Sequence, residues 1–188
     1  MVTDYLPEET FQQLLKCLMP ANALVLQLMM DTGMRISDAL SMRRPESWEN
    51  DIGKKYTYTE QKTGKQRTVF VPRDWLAAAE RYCAAVGPSV WVFPGRDPAK
   101  HRTRQAVWKD LNRCAKLWRV NGKKLRRNIG THSARKVYAV NALRRAEDAG
   151  EPNPIETVRV DMNHKDLAVT FLYAMADVIT ARKNRLTV

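Results

Sequence analysis

Hydrophobic positions along this chain fall into two periods, and the helical one dominates. Behind Pro7-Glu8-Glu9, the residues Phe11, Leu14, Leu15 and Leu18 repeat at the spacing of one helix face. A proline in the first turn and acids at the positive end of the helix dipole suit such a start. Ala21 to Met30 is apolar nearly all round, which predicts a helix at the centre of the core, ended by Thr32-Gly33. Ile36 to Met42 predicts a short helix leading into the Pro45 turn. The period then drops to two. Lys55–Glu60 and Arg67–Val71 alternate Tyr, Thr, Val and Phe, the turn Lys62-Thr63-Gly64-Lys65 joins them as a hairpin, and Pro72 stops the second strand.

Helical spacing returns over Arg73–Val86, with Trp75, Leu76, Ala79 and Tyr82 or Cys83 on one face. Val90–Phe93 is a short extended run. Thr103 caps a helix predicted to reach about Val120, with Val107, Leu111, Cys114 and Trp118 inward. Arg119–Arg127 carries five bases, no acid and an Asn-Gly turn. Further helices are predicted from His132 to about Ala149, from Pro154 to about Asn163 and over Leu167–Ala174, with a last helix or tail to Val188. The fold class is mainly α with a small antiparallel β-sheet, in one domain over residues 1–188 with its core at about 6–174. No internal repeat or low-complexity linker interrupts it.

Charge changes the picture more than composition does. Lys plus Arg number 32 against 20 acids, a net charge of +12 in 188 residues. Such an excess favours polyanions through phosphate neutralisation and counterion release. It also fits a ribosome-associated or simply basic protein. Cys17, Cys83 and Cys114 form no metal-ligand spacing and read as free thiols in a reducing cytoplasm. Acids at Asp4, Glu8 and Glu9 argue against a signal peptide, and the apolar stretch Ala23–Met30 is too short to span a bilayer.

Three segments carry the chemistry. In order they are Thr32-Gly33-Met34-Arg35-Ile36-Ser37-Asp38, Thr131-His132-Ser133-Ala134-Arg135, and His164 followed nine residues later by Tyr173. The Lys62 hairpin lies between the first two. Planar guanidinium forks meet phosphate oxygens bidentately, so Arg35 and Arg135 suit an anion clamp. Arg135 lies one helical turn after His132, so both share a face. Tyrosine, with a pKa near 10, needs a proton acceptor and cations around it to act as a nucleophile. His132 suits the first need and the arginines the second. Lys62 suits protonation of a leaving oxygen, and His164 suits donation to the phosphate. Taken singly, each has an ordinary reading: solvated arginines, an unexceptional lysine turn, a capping histidine, a core tyrosine. The set in this order carries the inference. His101 lies in a polar loop and is assigned nothing.

These motifs resemble the catalytic domain of the tyrosine recombinase (phage integrase) family. The Arg35 segment is similar to the first arginine box, with Asp38 where an acid supports the active site. Glu60-Gln61-Lys62-Thr63-Gly64-Lys65 resembles the family's lysine hairpin, most nearly that of lambda integrase. His132-Ser133-Ala134-Arg135 matches the His-x-x-Arg box in wording close to Cre. Met162-Asn163-His164 stands where Leu-Gly-His is usual, and Asp38 where glutamate is usual. The likeness covers Leu6 to Tyr173.

The resemblance implies that Tyr173 attacks the scissile phosphate to form a 3′-phosphotyrosyl bond. Arg35, Arg135 and His164 would hold the phosphate, Lys62 would protonate the leaving 5′ oxygen, and His132 would take the tyrosine proton. It implies no cofactor and no metal. The expected partners are double-stranded DNA and three further copies in a synaptic tetramer, the free chain being a monomer. Segment 175–188 is expected to dock on a neighbouring copy, and the N-terminal core-binding domain of most relatives is expected to be absent. The cytoplasm of a prokaryote carrying a phage- or plasmid-type element is the expected setting. On the helix opening at Thr103, Arg104 and Gln105 are expected to read base edges, while Lys109, Lys123, Lys124, Arg126 and Arg127 meet phosphates. A type IB topoisomerase, a telomere resolvase, or a DNA-binding regulator without catalysis would share much of this pattern.

Overall fold

The computed structural model describes residues 3–48, 53–120, 123–124 and 128–185. Among them, nine helices and two small antiparallel sheets form the fold. Helix α1 (Glu8–Leu15) buries Phe11, Leu14 and Leu15, as its spacing requires. Helix α2 (Pro20–Thr32) starts with proline at its first position and buries residues on every side. It is the centre of the fold, packing against α1, α3 (Ile36–Leu40), the hairpin and helices α4–α6 described below. Gly33 ends α2 in the left-handed conformation, its N–H on the Met29 carbonyl at 3.0 Å. A side chain there would strike the Tyr138 ring, its Cβ falling 2.4 Å from Cδ1. Glycine therefore meets two demands at this position, one of backbone and one of space.

Strands β1 (Gly53–Thr59) and β2 (Gln66–Pro72) pair antiparallel, from Gly53 opposite Pro72 to Thr59 opposite Gln66. The inward register of β2 is Arg67, Val69, Val71; that of β1 runs on through Tyr56 and Tyr58 to Glu60. Helix α4 (Arg73–Val86) covers the hairpin, and α5 (Arg104–Leu117) begins where Thr103 Oγ1 accepts from the Ala106 N–H at 3.2 Å. Helices α6 (Thr131–Asp148), α7 (Pro154–Asp161) and α8 (Leu167–Ala174) enclose a second apolar cluster around Ala139, Leu143, Val158, Met162 and Ala174. Helix α9 (Ala176–Arg185) packs on α8 and α6 of its own chain, with Thr180 Oγ1 accepting from the Tyr5 N–H at 3.0 Å.

The differences from the expected elements lie at their ends and in a second, two-stranded sheet where one was expected. Helix α3 stops two residues before Met42, whose carbonyl instead accepts from Val92 at 3.0 Å; the extended run at 90–93 is pinned there rather than in a sheet. Helix α5 ends at Leu117, because Trp118 is extended and Arg119–Val120 (β3) pairs with Lys123–Lys124 (β4). Helix α7 ends at Asp161, since Asn163 has φ 53 and cannot continue a right-handed helix. Cys17, Cys83 and Cys114 are free thiols. No helix among the described residues is long and apolar enough to cross a membrane.

Candidate active site

Residues from four segments line one cleft of about 590 Å³: Arg35 and Ser37 at the start of α3, Lys62 on the hairpin turn, His132 and Arg135 on the first turns of α6, and His164, Val169 and Tyr173 around α8. All six catalytic positions expected from the sequence therefore face the same space. Arg104 lines it too, while Gln105 and the exposed Trp108 face an adjoining hollow beside Gly130 and His132. Lys109 is exposed further along α5. The side chains of Lys123 and Lys124, and all of Arg126 and Arg127, lie outside the described residues.

Arg135 is the anchor. It is 1% exposed and is the largest side chain so deeply buried. Its Nη1 donates to the Gly33 carbonyl, and its Nη2 donates to Met162 O and meets His164 Nε2, each at 3.0 Å. Burial, then Arg35 and Arg67, push its pKa down to about 10, so the guanidinium stays charged at neutral pH. These bonds fix its plane before any phosphate arrives.

His164 is locked in turn. Thr170 Oγ1 donates to Asp166 O, so His164 Nδ1–H donates to Thr170 Oγ1 at 3.1 Å and Nε2 is left to accept from Arg135, a tautomer assigned from this network. Burial and then the Arg135 charge push its pKa down to about 3, which keeps it neutral. In this arrangement His164 orients Arg135 rather than offering a free N–H to the cleft. Asn163 makes the turn before it by adopting the left-handed conformation, which asparagine tolerates where glycine is usual.

Tyr173 and His132 meet at 2.8 Å, hydroxyl to Nδ1. Desolvation, then Arg135 and Lys136, depress the His132 pKa, so the imidazole is neutral and can accept. Desolvation raises the Tyr173 pKa while Arg135 and Arg35 pull against it. The resting pair is thus a protonated phenol donating to a neutral base, with the Arg135 guanidinium carbon 6.0 Å from the ring centre.

Sequence reasoning placed Asp38 as an acid supporting the active site. The carboxylate paired with Arg35 is Glu60, which is wholly buried. Asp38 Oδ1 instead accepts from the Gln61 N–H at 3.0 Å, tying α3 to the hairpin turn, and burial raises its pKa. Arg67 was also missed. Its Nη1 and Nη2 donate to Gly33 O at 3.1 Å and Thr32 O at 2.9 Å, so Gly33 O is shared by two buried guanidiniums. The signal was available: Arg67 and Glu60 occupy the inward register of their strands, where an unpartnered charge would be costly. Among the described residues, no group of His, Cys, Asp and Glu could hold a metal ion.

The comparisons with known proteins follow this geometry. No curated protein matches the chain. Among solved structures, the XerH site-specific recombinase bound to a palindromic difH substrate aligns over 90% of this chain and 48% of its own, with a TM-score of 0.69 and 17% identity. The XerA recombinase aligns over 100% of this chain and 65% of its own, with a TM-score of 0.66 and 16% identity. The Tn1549 transposon integrase in complex with transposon right end DNA gives 100%, 67%, 0.66 and 14% in the same terms. The chain thus spans about half the length of XerH and shares its catalytic-domain fold. The model of the phage integrase family matches residues 4–178, and with nearly its whole length inside that match the chain belongs to the phage integrase family.

Proposed function

We propose that the chain is a tyrosine recombinase that cleaves and rejoins DNA strands at specific sites. Tyr173 Oη attacks the scissile phosphorus and forms a 3′-phosphotyrosyl bond as the bond from phosphorus to the 5′ oxygen breaks. The phenolic proton passes to His132 Nδ1. Lys62 gives a proton to the departing 5′ oxygen. Arg35 and Arg135 balance the charge that gathers on the non-bridging oxygens, and His164 keeps Arg135 in plane. A 5′ hydroxyl from a second strand reverses the step, so the ester carries the bond energy and neither nucleotide nor divalent cation is consumed. The observation that carries this reading is the 2.8 Å contact between the Tyr173 hydroxyl and a neutral imidazole in the cleft that holds both arginines.

Residues 1–188 act as one catalytic domain. The hairpin's likeness to lambda integrase and the His-x-x-Arg wording close to Cre support the roles given to Lys62 and His132. The working form is a tetramer on synapsed double-stranded DNA, with segment 175–188 docked on a neighbour. In the free monomer α9 rests on its own chain partly through the ion pairs Lys183–Asp4 and Arg144–Asp177. Such pairs near the surface contribute little, but α9 also buries Ala176 and Thr180, so docking on a neighbour must replace that burial. Arg104 and Gln105 read bases, and Lys109 and the basic run 119–127 meet phosphates. The setting is the cytoplasm of a prokaryote carrying a mobile element.

The test uses duplexes from a random-sequence library, nicked so that cleavage releases a short strand and traps the protein. A covalent adduct that survives denaturation and excess EDTA is expected, with the attachment mapped to Tyr173. Absence of any adduct, or one that needs added magnesium, would overturn the reading.

A further inference from the structure

Glu60 belongs to none of the three segments that carry the reacting groups, yet its side chain reaches the Arg35 segment, the turn that presents Lys62 and the turn before His164. Its Oε1 pairs with Arg35 Nη1 at the start of α3. Its Oε2 accepts from Thr63 Oγ1 at 2.6 Å, inside the turn that presents Lys62. The same oxygen accepts from Asn163 Nδ2 at 3.0 Å, in the turn that presents His164. Its backbone closes the hairpin, with Glu60 N–H on Lys65 O and Gly64 N–H on Glu60 O, both at 2.9 Å. Burial would push its carboxyl pKa up; the Thr63 hydrogen bond and the Arg35 charge outweigh burial and hold it below the ordinary carboxylate range. The group is therefore a fixed anion at neutral pH, screened from water on every side.

The Asn163 contact extends its reach. Met162 and His164, the two residues flanking Asn163, are the ones that hold Arg135 Nη2. A shift of the Asn163 turn moves both supports of the second guanidinium. Arg35 on one side and Arg135 on the other thus share a single carboxylate as common reference. The anion paired with Arg35 also offsets one charge of the clamp before substrate binds.

We propose that Glu60 is a positioning residue that sets Arg35 directly, and Arg135 through Asn163, against the same non-bridging oxygens. The inference rests on the recombinase reading of the cleft. It assigns the supporting role to a hairpin residue rather than to the acid three residues after Arg35.

The experiment compares single-turnover adduct formation by wild type and variants on a nicked duplex recovered by covalent capture from a random library. Glu60→Gln keeps size and hydrogen-bonding capacity but loses the charge. Its rate at saturating protein should fall about a hundredfold, the scale expected for misplacing a reacting group, while the concentration for half-saturation stays within about twofold, since phosphate contacts elsewhere dominate affinity. Asn163→Gly deletes the whole side chain, amide included, but keeps the turn, because glycine adopts φ 53 without strain; its rate should fall about tenfold with little change in thermal unfolding. Acting through Arg35, Glu60→Gln should cost less in an Arg35→Lys background than in wild type, a non-additivity that a general loss of folding would not give.

Wild-type rates for either single variant, or penalties that simply add, would overturn the proposal. If Glu60→Gln fails to fold, Asn163→Gly decides it alone. A wild type that forms no adduct at all fails the recombinase reading instead, so the two failures are distinguishable.

Discussion

Arg135 and Lys62 are cations facing one cleft, yet Arg135 is 1% exposed and held by three partners, while Lys62 stands on the open tip of a hairpin. The same contrast separates the two regions they belong to. The floor of the cleft is made of Arg35, Arg135 and His164, backed by the buried Glu60, and all four are tied into buried hydrogen bonds and ion pairs. The rim is made of Lys62, His132 and Tyr173, joined by the single contact between the last two. The difference follows from what each region must do. Stabilising charge requires dipoles and cations already in place, since any reorganisation during the reaction is subtracted from the gain. Moving protons requires groups that can reach solvent and adjust by a fraction of an ångström.

The sharpest way to break this division is at the rim. Tyr173→Phe should abolish covalent adducts and leave DNA binding and thermal stability nearly unchanged, because one hydroxyl at the cleft edge is lost. Adducts in that variant would move the nucleophile elsewhere, although Tyr138, the other tyrosine on these helices, spends its hydroxyl on Asp161 and has its pKa raised by burial.

Next in size is Lys62→Ala, which should slow cleavage by roughly 10²–10⁴, the usual worth of a general acid. A substrate whose leaving 5′ oxygen is replaced by sulfur, a better leaving atom, should restore most of that rate. Failure of the sulfur substrate to help would mean Lys62 acts on the phosphate and belongs functionally with the floor.

On the floor, Arg35→Lys and Arg135→Lys should each cost about 2–4 kcal/mol of transition-state stabilisation, read from adduct rates. Only Arg135→Lys should also lower the melting temperature, because Met162 O loses its donor and Gly33 O keeps only that of Arg67. Equal stability losses at both positions would erase the distinction between a structural anchor and an edge clamp.

Smaller again is the pH effect. Because the His132 pKa is depressed in the fold, the imidazole is unprotonated at neutral pH and the rate should fall only as pH drops through a midpoint below 6.5. His132→Ala should remove that acid limb. A limb centred above 6.5 would show the imidazole starting as a cation.

The smallest effect lies outside both regions. Arg104→Ala should relax sequence preference at one position by about 1–3 kcal/mol, whereas Lys109→Ala should weaken all duplexes alike and flatten the salt dependence by about one unit of slope. Selections on random DNA at several salt concentrations separate the two. Equal losses on target and scrambled DNA would remove Arg104 from base reading.

Much of this architecture was legible before any coordinates. Helix α4 falls at Arg73–Val86, the span its apolar spacing predicts, because one-sided burial at helical period leaves a strong local mark, and α8 also falls at its expected span, Leu167–Ala174. The ends were less legible, since Met42 is drawn to Val92 and Trp118 turns extended, choices settled by distant partners rather than by neighbours in sequence. The six residues that line one cleft, too, were named from motif order. Residue type and spacing report what chemistry a chain carries. They do not report which carboxylate faces which guanidinium. Asp38, three residues from Arg35, was read only as an acid supporting the site; that Glu60, 25 residues away, pairs with Arg35 follows from the hairpin's inward register. Nor do residue type and spacing report that His164, read as a phosphate donor, lies between Thr170 on one side and Arg135 on the other. The sequence by itself determined the helical class, the hairpin, the basic surface and the six groups suited to phosphate chemistry, because these depend on local period and side-chain type. Only the tertiary structure decided how those groups are held, because hydrogen bonds between buried charges are made across elements that approach one another only when the core closes.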